Sequence, residues 1–468
     1  MIALTLGDVA LAVGGRLAGG AAPQAAVRGI STDSRTVAAG DLFVAVVGEN
    51  HDAHDFAAAA SASGAAGTLA SYELDVPCVV VDDTVLALGR LARWVLDRLS
   101  HLTVVAITGS NGKTSTKDLM AQVLGALGPV VAPQGSFNTE VGVPITALTA
   151  DEATRVLVSE MGARNLGHIS YLCTITPPRV GVVLNVGSAH LEIFGSRAAI
   201  AQTKGELVEA LPSAQHDGVA VLNADDPLVA AMRSRTAARV VLYGRATTAE
   251  VRADKERLDD LGRASFTLVA PEGREPVRLQ LYGAHHVSNA LAVAAAALAL
   301  GVPLAEVARR LSSAVATSRW RMEVSTSPAG VVVVNDAYNA NPESMIAALD
   351  ALTVMGRSGQ GRPSRRTWAV LGEMRELGPG AELAHELVGR AAAERGIDHI
   401  LAVGQGAVGV ARGAREVGGA TVVEAVPDID TAVALVRAQT VPGDVVLVKA
   451  SRGSALERLA LALVEVSA

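Results

Sequence analysis

The chain has 468 residues, which is more than one hydrophobic core usually fills, so we expect about three domains. Half of the residues are apolar but only 3% are aromatic, which predicts cores built mainly from Ala, Val and Leu. The formal net charge of −7 argues against a nucleic-acid partner, because such a partner needs a basic surface, but it allows small anionic ligands at local basic sites.

Three features of the sequence predict a cytoplasmic protein. Cys78 and Cys173 lie far apart in apolar stretches, as expected of reduced, buried thiols. No basic segment accompanies the first apolar residues, so we expect no signal peptide. The longest uncharged run, 287–305, is mostly alanine and includes Gly301 and Pro303, which predicts a buried helix ending at Gly301 and no membrane insertion.

Residues 1–100 predict a first α/β unit, with short buried strands at 41–46, 66–70 and 78–81 and a helix at 86–99. Two polar clusters stand out in it, at 31–35 and at 48–56. Such clusters are most often solvated loops or helix caps. A hydroxyl-rich loop with one arginine, as in Ser31-Thr32-Asp33-Ser34-Arg35, can equally bind a phosphorylated ligand, and the residues leave both interpretations open.

The stretch Thr108-Gly109-Ser110-Asn111-Gly112-Lys113-Thr114-Ser115-Thr116 carries the clearest chemistry. It follows an apolar strand at 103–107 and precedes an amphipathic helix, and a helix N-terminus after a glycine turn is an anion site. Lys113 would contact the β- and γ-phosphates of a nucleotide, and a hydroxyl of Thr114 or Ser115 would reach Mg²⁺. Ile107 replaces the first glycine of the full phosphate-loop pattern, so an ordinary strand–turn–helix corner is the alternative.

The next two strands of the middle unit end in polar residues. Glu160 follows the strand at 155–159, and the segment 185–192, which contains His190, follows the strand at 180–184. Because ligands collect at the carboxyl ends of parallel strands, both side chains are expected to face the phosphate loop, with Glu160 placed for Mg²⁺. A helix at 198–211 carries Lys204, whose ordinary role would be a solvated one.

The rest of the chain predicts a second doubly wound unit. The charged stretch 247–275 is irregular and predicts hairpins on one face, and Asn289 then either caps the alanine-rich helix or contacts a nucleotide base. Strands at 331–334, 367–371, 400–403, 421–424 and 445–448 alternate with helices. A basic, glycine-rich stretch at 357–366 predicts an exposed loop. The residues alone leave a kinase, an ATP-driven ligase and a nucleotide-gated binding module open.

Several motifs, in their order and spacing, resemble the Mur ligase family, whose members join amino acids to the UDP-linked precursor of bacterial peptidoglycan. These motifs lie at 108–116, 160–162, 185–192 and 286–289. Within the family, the segments 31–35, 51–56, 137–144, 336–345 and 372–378 look like the member that adds D-alanyl-D-alanine. The resemblance implies an α/β fold of three domains: a small UDP-precursor-binding domain (1–100), a central P-loop ATPase-type parallel sheet (101–317) and a C-terminal Rossmann-like doubly wound domain (318–468).

The same resemblance implies the substrates UDP-N-acetylmuramoyl-tripeptide and D-alanyl-D-alanine, the cofactors ATP and Mg²⁺, an acyl-phosphate intermediate and a monomeric enzyme. It assigns catalysis to Lys113, Glu160, His190 and Lys204, and the metal to Thr114, Glu160, His190 and, if carbamylated, Lys204. It assigns ATP binding to Gly109, Ser110, Asn111, Gly112, Lys113, Thr114, Ser115, Asn289, Arg321 and Asp336. It assigns substrate binding to Ser31, Asp33, Ser34, Arg35, Asn138, Thr139, Asn339 and Asn341.

Two positions depart from the family pattern. Arg319-Trp320-Arg321 stands where a Gly-Arg pair is expected, so either arginine could be the functional one. Thr139 stands where many relatives carry a second asparagine. A sister ligase that adds the third amino acid and a non-catalytic nucleotide-dependent binding protein are the alternative functions. The sequence does not distinguish diaminopimelate from lysine in the tripeptide.

Overall fold

The computed structural model describes residues 1–48, 51–187, 194–357 and 364–465, and within them it contains three main β-sheets, each with its own helices. The sheets follow one another along the chain, so the protein is a mixed α/β structure of three domains, as expected from the sequence. The predicted boundaries after residues 100 and 317 fall between sheets and stay predictions. In the described part of the chain, no helix is both long enough and apolar enough to cross a membrane.

The first domain is a small, mostly parallel sheet with helices. Its elements are β1 (Leu4–Thr5), α1 (Leu6–Val13), β2 (Arg16–Ala18), β3 (Ala26–Val27), β4 (Gly29–Ser31), β5 (Asp41–Val44), α2 (Ala57–Ala62), β6 (Gly67–Ala70), β7 (Cys78–Val80) and α3 (Thr84–Leu96). The strand order is β2-β7-β6-β5-β4, with β2 antiparallel and the others parallel, and β1 pairs separately with β3.

The middle domain contains the longest sheet. Its elements are β8 (Thr103–Thr108), α4 (Lys113–Leu124), β9 (Val130–Val131), α5 (Gly142–Leu148), β10 (Val156–Glu160), α6 (His168–Ile175), β11 (Val180–Val183), α7 (Arg197–Glu209), β12 (Val219–Asn223), α8 (Pro227–Ala230), β13 (Arg239–Gly244), β14 (Val251–Leu258), β15 (Arg263–Ala270), β16 (Gly273–Tyr282), α9 (His285–Ala299) and α10 (Leu304–Ser313). The order is β16-β15-β14-β13-β12-β11-β8-β10-β9, parallel from β9 to β14 and antiparallel beyond.

The stretch predicted to be irregular is the antiparallel end of this sheet. Residues 251–282 form three long strands joined as two antiparallel hairpins, so the expected hairpins are confirmed and the expected irregularity was wrong. The residues of β14 and β16 alternate between more and less buried positions, which places their charges on the outer face of a regular strand. The many charged residues of this stretch made the two-residue alternation difficult to recognise in the sequence.

The third domain is a doubly wound sheet with helices on both faces. Its elements are β17 (Glu323–Thr326), β18 (Val332–Asn335), α11 (Pro342–Gly356), β19 (Thr367–Leu371), α12 (Ala381–Glu394), β20 (His399–Val403), α13 (Val408–Val417), β21 (Val422–Val426), α14 (Ile429–Gln439), β22 (Val445–Lys449) and α15 (Glu457–Val464). The order is β17-β18-β22-β19-β20-β21, and only β17 is antiparallel. Helices α11, α12 and α13 share one core, and α14 and α15 share the other.

The strand order of the third domain explains where its ligand-binding edge lies. Strand β22 leads to a helix on one face, whereas its neighbours β18 and β19 lead to helices on the other face. Loops that leave adjacent parallel strands in opposite directions open a crevice at their carboxyl ends. The residues that follow β18, β19 and β22 are therefore placed at one edge of the sheet.

Candidate active site

A large cleft lies between the middle and third domains. It encloses about 1120 Å³ and is lined by polar residues from the phosphate loop, from the ends of β10 and β11, and from the loops after β18, β19 and β22. Fifteen predicted site residues line it: Ser110, Asn111, Gly112, Lys113, Thr114, Ser115, Asn138, Thr139, Glu160, Lys204, Asn289, Arg321, Asp336, Asn339 and Asn341. The structure thus brings residues of two domains to one cavity.

The phosphate loop has the geometry that its sequence predicts. Gly112 has a φ of +83°, in the left-handed region, and a Cβ at this position would lie 2.8 Å from Oδ1 of Asn289. Helix α4 begins at Lys113, so the backbone N–H groups of its first turn are at the cavity. Asn289 is 6% exposed and lies one turn inside α9, which begins at His285, so it does not cap that helix.

The end of β11 holds the phosphate loop in place. The side chain of Asn185 accepts a hydrogen bond from the Asn111 N–H at 2.9 Å and donates one to the Asn111 carbonyl at 3.0 Å. The Gly187 N–H donates to Oγ of Ser110 at 2.9 Å. The loop is therefore fixed before any ligand enters, and Asn185 is a positioning residue that the sequence analysis did not single out.

Glu160 carries a carboxylate oxygen that is buried and unsatisfied. Asn138 Nδ2 donates to Oε1 at 2.8 Å, whereas Oε2 has no hydrogen-bond partner among the described residues. Glu160 is only 1% exposed. A buried carboxylate oxygen without a partner is costly, so this atom is suited to a cation that the cleft would hold.

Two lysines at the cleft are strongly desolvated. Burial lowers the pKa of Lys113, although the nearby Glu160 carboxylate acts in the opposite direction. Burial also lowers the pKa of Lys204 well below its usual value, and the neighbouring Lys113 charge lowers it further. Lys113 Nζ donates to the Gly109 carbonyl at 2.8 Å, so its charge is folded back onto its own loop. Among the described residues, no salt bridge pairs Lys113 or Lys204 with a carboxylate, and the nearby Glu160 carboxylate only partly offsets the effect of burial on Lys113.

The third-domain wall is arranged differently, because its buried cation is paired. Lys449, 2% exposed, donates to Oδ2 of Asp336 at 2.6 Å and to the Asn339 carbonyl at 2.8 Å. The guanidinium of Arg321 lies over the ring of Tyr338, with Cζ 4.2 Å from the ring centroid. Arg321 lines the cleft, whereas Arg319 is exposed outside the cleft lining.

Hydrogen bonds between described residues join the two walls directly. Asn341 caps α11 and its Nδ2 donates to Oδ1 of Asn111, in the phosphate loop, at 2.7 Å. A second contact links the hydroxyls of Ser136 and Tyr338. The position of the third domain is therefore coupled to the loop that would hold phosphate.

Several predicted residues lie elsewhere. Gly109 is packed beneath the loop, where a Cβ would lie 2.8 Å from Cβ of Leu184. The first-domain residues Ser31, Asp33, Ser34 and Arg35 form a turn outside the cleft lining, in which Arg35 donates to the Asp33 carboxylate and lowers its pKa to about 2. His190 lies outside the described residues.

Comparison with known proteins gives three matches in chain order. A Mur ligase family catalytic domain matches residues 26–93, a Mur ligase middle domain matches 107–297, and a Mur ligase glutamate ligase domain matches 320–452. The UDP-N-acetylmuramoyl-tripeptide--D-alanyl-D-alanine ligase of Mycobacterium tuberculosis is 45% identical over 99% of this chain and 98% of its own length. The chain belongs to the Mur ligase family. The Escherichia coli ligase of the same name is 36% identical over 86% of this chain and 87% of its own.

Solved structures of Mur ligases agree with the fold described above. A crystal structure of MurF from Acinetobacter baumannii superposes with a TM-score of 0.88 at 31% identity, and both chains are covered completely. MurF ligase from Thermotoga maritima in complex with ADP has a TM-score of 0.80 at 30% identity, covering 93% of this chain and 97% of that one. The three-domain architecture of the family is thus present here.

Proposed function

We propose that this Mur ligase joins D-alanyl-D-alanine to UDP-N-acetylmuramoyl-tripeptide, using ATP, during peptidoglycan precursor synthesis in the cytoplasm. Full-length similarity to ligases of that name supports the substrates, and the ADP complex of a relative supports ATP as the nucleotide. The observation that carries the proposal is the cleft itself. One wall offers a phosphate loop with desolvated lysines, and the other offers a preformed polar surface at a sheet edge.

The middle-domain wall fits the triphosphate. The backbone of residues 110–113, the hydroxyls of Thr114 and Ser115 and the Lys113 ammonium surround the helix N-terminus, where phosphate oxygens are stabilised. Phosphate would replace the Gly109 carbonyl as the partner of Lys113 Nζ, because the charged oxygen is the stronger acceptor. Asn289, Arg321 and Asp336 line the same cleft and are the proposed contacts of the nucleoside.

Mg²⁺ is the cation we propose for the unsatisfied oxygen of Glu160. The described residues hold no cluster of three or more His, Cys, Asp or Glu side chains, so the site would be shared between Glu160, the Thr114 hydroxyl and nucleotide oxygens. His190, outside the described residues, is a further proposed ligand. Lys204 qualifies only if carbamylated, and its lowered pKa favours the neutral amine that reacts with carbon dioxide. When bound, the metal would neutralise charge between the reacting anions.

The proposed reaction has two steps. The terminal carboxylate of the tripeptide attacks the γ-phosphate of ATP, which gives an acyl phosphate and ADP. The amine of D-alanyl-D-alanine then attacks the acyl carbon, and phosphate leaves with one oxygen of the original carboxylate. Lys113 reduces the repulsion between the two anions of the first step. The Asn111–Asn341 bond holds the walls together, which would keep water from the acyl phosphate.

Binding of the UDP-linked donor extends beyond the cleft in this proposal. Asn138 and Thr139 line the cleft beside Glu160 and would contact the sugar and peptide, and Asn339 and Asn341 lie on the opposite wall. The first-domain turn Ser31–Arg35 would hold the uridine diphosphate. Arg35 is exposed and donates to the exposed Asp33 carboxylate, so a diphosphate would compete with Asp33 for this guanidinium.

An acceptor panel tests the proposed function. ADP release is measured with ATP, Mg²⁺ and UDP-N-acetylmuramoyl-tripeptide, while D-alanyl-D-alanine, D-alanine or a diamino acid is offered as acceptor. Turnover is expected with the dipeptide only. Turnover with the diamino acid on the corresponding UDP-dipeptide would identify a sister ligase instead. Nucleotide binding without ADP release under every condition would identify a non-catalytic binding protein.

A further inference from the structure

Two strained residues flank Arg321 on the third-domain wall. Trp320 has a φ of +59° and Met322 a φ of +53°, both in the left-handed region that side chains other than glycine rarely adopt. Hydrogen bonds hold this conformation: the Trp320 N–H donates to Glu323 Oε2 at 3.1 Å and the Met322 N–H donates to Asp336 Oδ1 at 3.0 Å. A tryptophan in this backbone conformation is unfavourable, whereas glycine adopts the same conformation freely, so a specific contact of the tryptophan ring is expected.

The contact that Trp320 makes supplies an explanation. The guanidinium of Arg452 lies over the Trp320 ring, with Cζ 4.2 Å from the centroid, in a cation–π arrangement. The carboxylate of Glu457, buried at the start of α15, accepts a hydrogen bond from Nη1 of the same group. Arg452 lines the cleft, whereas Trp320 does not. The Trp320 ring therefore lies outside the cleft lining but contacts the guanidinium of Arg452, which lines it.

A second arginine lies at the neighbouring strand end, against the residue that follows Arg452. Arg375 follows β19 and packs its guanidinium against Gly453, where a Cβ would lie 2.1 Å from Nη1. Glu373 accepts from Arg375 Nε at 3.0 Å, and the Arg375 N–H donates to Oγ of Ser451 at 2.9 Å. The two arginine side chains are about half exposed, at 53% and 52%, in contrast to the buried Lys449.

The chemistry of this arginine pair suits a carboxylate. Each guanidinium carries five N–H donors in a planar fork, and a glutamate holds each one by an edge, which orients it at little entropic cost to a ligand. Lys113 and Lys204 lie at the phosphate loop, and Lys449 is paired with Asp336. Arg321 lies over the Tyr338 ring and is a proposed contact of the nucleoside, so Arg375 and Arg452 are the arginines we assign to a second anion at the third-domain side. In the proposed reaction, the acceptor brings one: the C-terminal carboxylate of the dipeptide.

We propose that Arg375 and Arg452 bind the C-terminal carboxylate of the acceptor dipeptide, and that Trp320 is a positioning residue for Arg452. The inference rests on the proposed function, and it explains how the enzyme would distinguish a dipeptide acceptor from a single amino acid. One residue adds up to about 3.5 Å between amine and carboxylate. A carboxylate held at fixed arginines therefore places the amine of a dipeptide, and not that of a single amino acid, at the acyl carbon.

The test compares D-alanyl-D-alanine with D-alanyl-D-alaninamide, which keeps the shape of the dipeptide but lacks the charge. ADP release with UDP-tripeptide and ATP gives a KM for each. We expect the amide to raise KM by about 10- to 100-fold in the unaltered chain, as for loss of a charge-assisted hydrogen bond. The ratio of the KM for the amide to the KM for the acid is called the amide-to-acid ratio. In Arg375→Gln, and in the double variant Arg452→Gln/Glu457→Gln, which removes both charges of that pair, the KM of the acid should rise and the amide-to-acid ratio should fall towards one.

Variants at Trp320 separate positioning from structure. Trp320→Gly relaxes the backbone and removes the ring, so its Tm should not fall, but its amide-to-acid ratio should fall about threefold or more. Trp320→Phe keeps an aromatic face and should keep most of the ratio. Arg390→Gln removes a half-exposed arginine of α12 that is paired with Glu416 of α13, so it is the matched control and should leave the ratio unchanged.

The outcomes distinguish this inference from the function on which it rests. Normal turnover with an amide-to-acid ratio below about three, or arginine variants that retain the full ratio, overturns the carboxylate site and leaves the ligase assignment intact. A Trp320→Gly chain that retains the full ratio overturns the positioning role. Absence of ADP release with every dipeptide in the unaltered chain overturns the proposed function, and the carboxylate site with it.

Discussion

The two walls of the cleft differ in how their cationic side chains are paired. The middle-domain wall places a half-buried Lys113 near a buried Lys204, desolvation lowers the pKa of both, and the Glu160 carboxylate only partly offsets this at Lys113. The third-domain wall pairs three of the cations that reach the cleft, Lys449 with Asp336, Arg375 with Glu373 and Arg452 with Glu457, whereas Arg321 lies over the Tyr338 ring. A wall that carries unbalanced charge is completed by a polyanionic ligand, whereas a wall of paired charges is preorganised and stable without one.

The largest effect should come from the unbalanced wall. Lys113→Ala removes the ammonium that faces the triphosphate, and we expect ADP release to fall at least about 1,000-fold, as for a charge that stabilises the transition state. The exposed Lys255, on β14, provides a matched control, and Lys255→Ala should keep full activity. Unchanged turnover in Lys113→Ala would remove the phosphate-loop assignment.

Glu160→Gln should produce the next largest loss. Glutamine keeps the oxygen that accepts from Asn138 but removes the charge of the unsatisfied Oε2, so the fold should survive. We expect ADP release to drop about 100-fold or more and the Mg²⁺ concentration for half-maximal rate to rise. A Mg²⁺ titration of both proteins measures this. If the variant required no more Mg²⁺ than the unaltered chain, Glu160 would not be a metal ligand.

The difference between the walls also explains what the sequence could predict. The strand, the glycines, the lysine and the helix of the phosphate loop are contiguous in the sequence, so its strand–turn–helix structure could be predicted from local patterns. The pairing of Lys449 with Asp336 spans 113 residues and depends on β18 lying beside β22, which no local pattern reveals. The rule that ligands meet at carboxyl ends of parallel strands points to Lys449 and Arg452 once the strand order is known.

Some expectations failed for a different physical reason. The charged stretch 247–275 was expected to be irregular, although with hairpins, because surface charge masked its alternating burial. Capping was one of two roles expected for Asn289, and it is excluded because Asn289 lies inside α9. Its contact with Gly112 depends on how α9 packs against α4. The departure at Trp320 becomes meaningful only when its positive φ and the Arg452 contact are seen together.

On the paired wall, breaking one partner should affect stability. Lys449→Met leaves the Asp336 carboxylate, only 15% exposed, without its cation, and we expect a loss of about 3 kcal/mol in the free energy of unfolding. Chemical denaturation of the unliganded protein measures it. The double variant Lys449→Met/Asp336→Asn should recover much of the loss. Equal stability of single variant and unaltered chain would show that the pair is not buried as described.

On the unbalanced wall, the same kind of substitution should stabilise the protein, by a smaller amount. Lys204→Met removes a desolvated ammonium, so the unliganded variant should be about 1 kcal/mol more stable at pH 7, in bicarbonate-free buffer, while losing activity. Because the pKa of Lys204 is lowered on folding, the unfolded chain binds its proton more tightly and the charged lysine destabilises the fold. This penalty disappears as pH rises from the lowered pKa through 10.5, so the advantage of the variant should vanish at high pH. A constant difference across pH would contradict the assignment.

The most direct test of the ligase account follows an oxygen atom. UDP-N-acetylmuramoyl-tripeptide labelled with ¹⁸O in its terminal carboxylate is turned over with ATP and D-alanyl-D-alanine, and the phosphate released is examined by mass spectrometry. If the carboxylate attacks the γ-phosphate in this cleft, each phosphate carries one ¹⁸O. Phosphate that contains no label, released at the rate of amide formation, would contradict the acyl-phosphate reaction.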